Sequence, residues 1–68
     1  MNSSEKLYKI YQDYELKIDV GRNVEEKILI TLCAYHFDTK NQFYGNGYSI
    51  DAAIDDLYEE IYNKKTAE

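Results

Sequence analysis

Proline and tryptophan are absent from this 68-residue sequence, and cysteine and histidine each occur once. A single cysteine excludes an internal disulfide, and one cysteine with one histidine is too few for a structural zinc site. The two usual supports of a very small fold are therefore missing, and its margin of stability should be thin. We expect one domain over residues 1–68, in an intracellular protein that needs no cofactor.

Long apolar runs are also missing. No stretch approaches the length of a membrane span, and no basic start followed by an apolar segment indicates a signal peptide. The sequence has no internal repeat, no low-complexity tract and no linker. We expect a cytoplasmic protein with no membrane partner.

Basic residues are absent from one segment near the end of the sequence. The formal net charge is −5, from thirteen acids and eight bases, and residues 51–60 contribute five acids and no base. The rest of the chain holds eight acids against eight bases, so this segment carries the whole net charge. A surface of this sign repels nucleic acid and anionic membrane, and it attracts basic protein surfaces, including those that bind nucleic acid.

The acidic segment predicts an amphipathic helix. Apolar residues follow the helical spacing and predict one buried stripe; they are Ile50, Ala53, Ile54, Leu57, Tyr58 and Ile61. The charged positions between them are all acidic; they are Asp51, Asp55, Asp56, Glu59 and Glu60. Ser49 is a typical N-cap for this helix. Gly45 and Gly47 predict a sharp turn from a preceding strand into the cap.

The first twenty residues predict a helix and a strand. Residues 4–13 follow cap residues and carry apolar side chains at helical spacing. Residues 14–20 alternate apolar and charged residues, which is typical of a strand with one buried and one wet face. Residues 21–23, Gly-Arg-Asn, are expected to end that strand.

Residues 26–37 fit either a strand or a helix. One side of a helix would be lined by Val24, Ile28, Leu32 and Tyr35, whereas the β-branched and aromatic content favours a strand. We choose the strand, followed by a hairpin turn at residues 38–41 and a third strand over residues 42–44. The outer side of the second strand is then too apolar to be simply wet, which indicates an interface; its residues are Leu29, Tyr35 and Phe37, with Thr31 and Cys33 between them.

The predicted fold class is α+β, in the order α-β-β-β-α, with a three-stranded antiparallel sheet and both helices on one face. A three-helix bundle is the alternative if residues 24–37 are helical. The alternation of residues 14–20 argues against an all-α fold.

No residues form a convincing catalytic or metal site. Cys33 and His36 are three positions apart, which on a strand places them on opposite faces, where they cannot share a proton or a metal ion. On a helix they would share a face, but a third ligand or an orienting carboxylate would still be missing. The two glycines, Gly45 and Gly47, lack the third glycine and the lysine of a phosphate loop. We therefore expect a protein that is not an enzyme.

The motif Gly45-x-Gly47-x-Ser49, leading into a helix with Ala53 in its first turns, resembles the C-terminal half of double-stranded-RNA-binding domains. That family places lysines at the helix start, where they grip phosphates. The corresponding positions of this chain hold Ile50, Asp51 and Ile54. The resemblance therefore implies the fold but no direct binding of nucleic acid.

Size, element order and the acidic surface together resemble the small inhibitors that phages produce against host defences, in particular some anti-CRISPR proteins. In that group, carboxylates occupy basic sites meant for DNA or RNA. Carboxylates on successive helical turns lie about 6 Å apart, comparable with phosphate spacing along one strand. The eight tyrosines suit a protein that works by contact, because tyrosine provides a large contact area with a polar tip.

The predicted function is inhibition of a basic, nucleic-acid-binding host protein, such as a CRISPR or other defence effector. The predicted partner-binding residues are Asp51, Asp55, Asp56, Glu59 and Glu60. One alternative is a structural or regulatory module that forms a homodimer through the outer sheet face. Another is a degenerate double-stranded-RNA-binding-like domain. The plainest interpretation of the acidic face is a solvated surface that keeps a small protein soluble.

Overall fold

The chain begins with helix α1, Ser3–Asp13, in a computed structural model that describes residues 1–63. Its start is fixed by a capping box, in which the Asn2 side chain accepts from the Glu5 amide and the Glu5 carboxylate accepts from the Asn2 amide. The helix ends where Tyr14 becomes extended, although the Tyr14 amide still donates to the Ile10 carbonyl. Helix α1 therefore passes into the first strand without a loop.

Three antiparallel strands follow in the order β1-β2-β3. They are β1 (Tyr14–Arg22), β2 (Ile28–His36) and β3 (Gln42–Gly47). The strand interpretation of residues 26–37 is confirmed, and the three-helix bundle is wrong. Strand β1 continues through the predicted stop at residues 21–23 as far as Arg22, and β3 extends beyond the predicted 42–44.

Both hairpin turns are held by side chains. In the first turn the Asn23 amide oxygen accepts from the backbone amides of Glu25 and Lys27. In the second, predicted at residues 38–41, His36 Nδ1 accepts from the backbone amides of Asp38 and Thr39. In each turn, a side-chain acceptor binds two backbone amides that the strand ladder leaves unpaired.

Helix α2, Ile50–Tyr58, follows β3 and continues into a π-helical turn, Glu59–Asn63. The predicted Ser49 cap is confirmed, because Ser49 Oγ accepts from the Ala52 amide at 3.1 Å. The predicted apolar stripe is confirmed in its middle, where Ala53, Ile54 and Leu57 are buried. Ile50, at the start of the stripe, stays exposed.

The core lies between the sheet and the two helices. Alternation along β2 turns one set of side chains inward, where the helices cover them, and the predicted α+β order with both helices on one face is confirmed. The buried residues are Ile10, Tyr14, Ile30, Leu32, Ala34, Ala53, Ile54 and Leu57. Helix α2 covers β3 and β2, whereas α1 packs on α2 and on the start of β1.

Gly45 and Gly47 do not form the predicted sharp turn. Both lie within β3, and neither has a positive φ angle. A Cβ atom on Gly45 would overlap the backbone nitrogen of Leu57 and lie 2.6 Å from the Ala53 carbonyl oxygen, and one on Gly47 would lie 2.6 Å from the Ala52 Cβ. These glycines are needed because α2 approaches the strand backbone closely, and not because of their conformational freedom.

Candidate functional site

Helix α2 presents its predicted acidic residues on the side away from the sheet. Because Ala53, Ile54 and Leu57 are buried, the intervening charged positions are turned outward. Four of the five acids are exposed and the fifth, Glu60, is half-buried; the exposed ones are Asp51, Asp55, Asp56 and Glu59.

Asp55 has a basic partner on the other helix. Its Oδ1 atom lies 3.0 Å from Lys6 Nζ, and the two side chains are 52% and 22% exposed. A partly exposed pair of this kind contributes about 0–1 kcal/mol to stability. The acidic face therefore includes one neutralised carboxylate, because the fold places Lys6 of α1 beside Asp55, 49 positions along the chain.

Lysines of α1 also lie against aromatic rings at the end of α2. Lys6 Nζ is 5.4 Å from the ring centroid of Tyr58, and Lys9 Nζ is 4.6 Å from that of Tyr62. Cations at these distances are attracted to the ring faces. One flank of the acidic helix thus carries positive charge, which no inspection of α2 alone would reveal.

Asp56 is tied to the sheet. Its Oδ2 atom accepts a hydrogen bond of 2.9 Å from the backbone amide of Asn46 in β3. The Asn46 side chain in turn accepts from Thr31 Oγ1 at 2.7 Å. Asp56 therefore satisfies a backbone donor at the outer edge of β3, and this structural role was not predicted.

The remaining acids differ in their surroundings. Glu59 accepts a hydrogen bond from the Asn63 side chain at 3.1 Å. Asp51 lies in the first turn of α2, where the helix dipole favours negative charge, and within residues 1–63 it has no ion-pair partner. Asp51, Asp55 and Glu59 stand four residues apart along the helix, so they form one row with a rise of about 6 Å between members.

Two residues of the predicted second interface lie within β2, and the third follows the end of that strand. Leu29 and Tyr35 lie half-buried on the outer face of β2, as the alternation predicted. Phe37 follows the last residue of β2 and is exposed, and its amide donates to the Asp13 carbonyl. Polar and charged residues of β1 and β3 flank this face in register; they are Glu15, Lys17, Asp19, Gln42 and Asn46.

Cys33 and His36 are on opposite faces of the sheet, as predicted. Cys33 is half-buried on the outer face. His36 packs edge-on against the Tyr14 ring, with 4.8 Å between ring centroids, and its Nδ1 atom is occupied by the turn amides. The two side chains share no site.

A cluster of tyrosines at the junction of α1 and β1 was not predicted. Burial, reinforced by the charge of Asp13, raises the pKa of Tyr14 above its usual value. Burial also raises the pKa of Tyr62, with smaller contributions from Tyr14, Asp13 and Tyr58. Among the described residues, the buried Tyr62 hydroxyl has no hydrogen-bond partner. The spacing of Tyr58 and Tyr62, one turn apart, was the available signal.

Within residues 1–63 no three His, Cys, Asp or Glu side chains are grouped so that they would hold a metal ion. None of the helices in this described part has the length and apolar character needed to cross a membrane. Comparison with protein-family models, curated proteins and solved structures gave no match. Fold and surface together define a small α+β domain that displays an acidic helix.

Proposed function

We propose that this protein is a small, non-enzymatic inhibitor that binds a basic, nucleic-acid-binding protein through helix α2. The expected setting is a phage or mobile element whose product acts in the host cytoplasm, on a CRISPR or other defence effector. The proposal rests on one observation above all. The exposed row Asp51, Asp55 and Glu59 stands on a helix that has no basic residue of its own between Ile50 and Asn63.

The row is supported by a rigid base. The Ser49 cap fixes the start of α2, and the bare backbone at Gly45 and Gly47 fixes its distance from the sheet. A charged row on a fixed element loses little conformational entropy on binding, which is the advantage of preorganisation. Its spacing of about 6 Å suits a groove that holds successive phosphates.

The roles of the five acids follow from their contacts. Asp51 and Glu59 are the best candidates for direct partner contact, because each can turn to a new cation without breaking a tie to another element. Asp55 can exchange Lys6 for a partner's cation at small cost, since their pair is partly exposed. Asp56 orients the helix through its bond to Asn46 and contributes charge with its other oxygen.

The test uses charge removal at the two acids with no tie to another element. Asp51→Asn with Glu59→Gln removes two charges and keeps side-chain shape, including an acceptor for Asn63. The matched control is Glu25→Gln with Glu26→Gln, which removes the same charge from the β1–β2 turn, where both acids make only long, exposed ion pairs. Circular dichroism of both variants should match the wild type.

Each protein would be immobilised and exposed to host-cell extract, and bound proteins would be eluted with increasing salt or displaced with duplex DNA. We expect a nucleic-acid-binding protein that elutes with salt and is displaced by DNA. The Asp51/Glu59 variant should bind that protein about tenfold more weakly, roughly 1.4 kcal/mol, and the control should bind normally. Equal loss in both variants, or binding that resists both high salt and DNA, would contradict the proposal.

A further inference from the structure

Strand β1 forms an open edge of the sheet. The Phe37 amide donates to the Asp13 carbonyl, which fixes the phase of the β1–β2 ladder. Because bonded and non-bonded pairs alternate in an antiparallel ladder, the odd-numbered residues of β1 bond to β2. Leu16, Ile18 and Val20 therefore turn their backbone amides and carbonyls away from β2, toward a side where residues 1–63 place no further strand.

The opposite edge of the sheet differs from this one. The outward amide of Asn46 in β3 is bound by Asp56, and α2 packs along the same strand. Natural sheets commonly protect an edge with a charged side chain or a covering helix. In β3 a carboxylate binds an outward amide and a helix packs along the strand. Within residues 1–63, no side chain binds an outward amide of β1 and α1 reaches only its Tyr14 end, although β1 carries charged side chains such as Lys17 and Asp19 on the outer face.

Apolar side chains beside the open edge are also uncovered. On the helix-bearing face of the sheet, Ile18 is 54% exposed, Val20 61% and Ile28 55%. They are exposed because α2 lies over β3 and β2 and α1 reaches only the Tyr14 end of β1. An unpaired edge with an apolar border is a surface that another strand would fit.

The sequence of β1 is complementary to itself in one antiparallel register. A two-fold axis at Ile18, the midpoint of Tyr14–Arg22, overlaps the whole strand. It places Lys17 opposite Asp19 of the second copy, and Leu16 opposite Val20, each pair occurring twice. Opposite charges and apolar residues across a strand pair each stabilise it, and the outward backbone groups of the even-numbered residues meet as bonded pairs.

Neighbouring registers fit less well. An axis at Lys17 sets that lysine against its own copy and Glu15 against Asp19, and like charges directly opposite are destabilising. An axis at Leu16 pairs Glu15 with Lys17 but shortens the overlap to residues 14–18. Only the register at Ile18 combines full overlap with opposite charges.

We propose that a second copy of this chain binds along β1 in the register centred on Ile18, which joins two three-stranded sheets into one continuous sheet. The dimer uses the edge of the sheet and not the outer face. The second strand contacts β1 and not the acidic residues of α2. The proposed dimer therefore does not depend on the function proposed above.

Charge exchange at the edge tests the dimer and its register. Lys17→Glu sets an acid against Asp19, and Asp19→Lys sets two lysines against each other; both side chains are exposed, so the fold should survive. We expect each single variant to dimerise at least about tenfold more weakly by sedimentation equilibrium. An equimolar mixture of the two variants, and the double variant that carries both changes, should regain the wild-type affinity.

Glu15→Lys is the matched control, because Glu15 faces Gly21 in this register and should leave dimerisation unchanged. Hydrogen exchange gives an independent readout: protection of the Leu16, Ile18 and Val20 amides should rise with protein concentration. The proposal is overturned if the wild type remains monomeric up to about 1 mM, or if the mixed variants fail to restore the dimer. A dimer sensitive to Tyr35→Asp and insensitive to both charge variants would place the contact on the outer face instead.

Discussion

At the scale of single residues, the absence of a side chain at two glycines determines how closely α2 packs on the sheet. Gly45 and Gly47 allow the backbone of β3 to contact α2 directly, and this contact supports the helix that carries the net charge. In contrast, Gly21 in β1 has no atom within 4 Å of the place where a Cβ would stand. The three strand glycines therefore differ: Gly45 and Gly47 are required by a close contact with α2, whereas Gly21 is not.

Alanine substitution should distinguish the glycine in close contact with α2, Gly45, from the glycine in open space, Gly21. Gly45→Ala is expected to lower the free energy of unfolding by about 1–3 kcal/mol or more, because α2 must move away from β3. Gly21→Ala should be neutral or stabilising by up to about 1 kcal/mol, because alanine reduces the freedom of the unfolded chain. Urea denaturation followed by circular dichroism measures both. Similar values for the two variants would contradict the close-approach interpretation of Gly45.

The tyrosine cluster predicts a loss of stability at high pH. Tyr14 and Tyr62 have raised pKa values in the folded state, mainly because of burial. In the unfolded chain they ionise near pH 10.0, so their contribution is complete below pH 10 and is lost as the pH rises through the folded pKa values. Tyr62→Phe should reduce this loss and, at neutral pH, stabilise the fold by about 1 kcal/mol, since it removes a buried hydroxyl without a partner.

Urea midpoints measured from pH 8 to pH 11 check this expectation. Tyr8→Phe is the control, because the Tyr8 side chain is 66% exposed and lies outside the cluster. It should follow the wild-type curve. If Tyr62→Phe also follows the wild-type curve and is destabilising at neutral pH, the hydroxyl has a structural role that its surroundings do not indicate.

At the scale of elements, the local pattern was enough to predict both helices and all three strands. Strict alternation in residues 14–20, cap residues before each helix and the turn at residues 38–41 act over a few neighbouring positions, where sequence and structure are closely linked. Contacts between distant elements could not be predicted in this way. Lys6 and Asp55 are 49 positions apart, and the close approach at Gly45 depends on which helix packs above it.

The candidate site shows the same division. Its charge, exposure and helical spacing could be read from the sequence, because an amphipathic pattern determines which side of a helix faces out. The separate contacts of Asp55 and Asp56 could not be predicted from the sequence. Asp55 pairs with Lys6 of α1, and Asp56 accepts from the outward Asn46 amide of β3. The sequence therefore did not reveal that Asp55 and Asp56 also bind groups of other elements.

The bond between Asp56 and Asn46 can be tested as a link between α2 and β3. Asp56→Ala leaves the Asn46 amide without this acceptor and should lower the free energy of unfolding by about 1 kcal/mol. Asp56→Asn retains an acceptor oxygen and should cost less, although it removes the same charge. Chemical denaturation of the two variants distinguishes the roles: equal effects would mean that charge, and not the hydrogen bond, is what matters at this position.

At the scale of the whole molecule, the acidic row and the apolar residues beside the open edge lie on different elements. The acidic row lies on α2, whereas the exposed apolar residues Ile18, Val20 and Ile28 lie by β1. Lys6 and Lys9 of α1 lie beside α2 and the turn that follows it, and they partly neutralise that flank of the acidic helix. A protein with surfaces of such different character can contact two kinds of partner at once, and the salt dependence of each contact would differ.

The difference between the two edges of the sheet also limits how many chains can assemble. A sheet with two open edges can add neighbours indefinitely and grow into a fibre, which is a hazard for any small β-containing protein. Within residues 1–63, Asp56 binds an outward amide of β3 and α2 packs along that strand, whereas the outward backbone groups of β1 are open to another strand. A two-fold pairing uses up that edge on both copies, and closed symmetry ends the growth at two chains. Asp56→Ala would remove the carboxylate that binds the outward Asn46 amide, and we expect it to make β3 more open to a further strand, so that growth beyond two chains becomes easier.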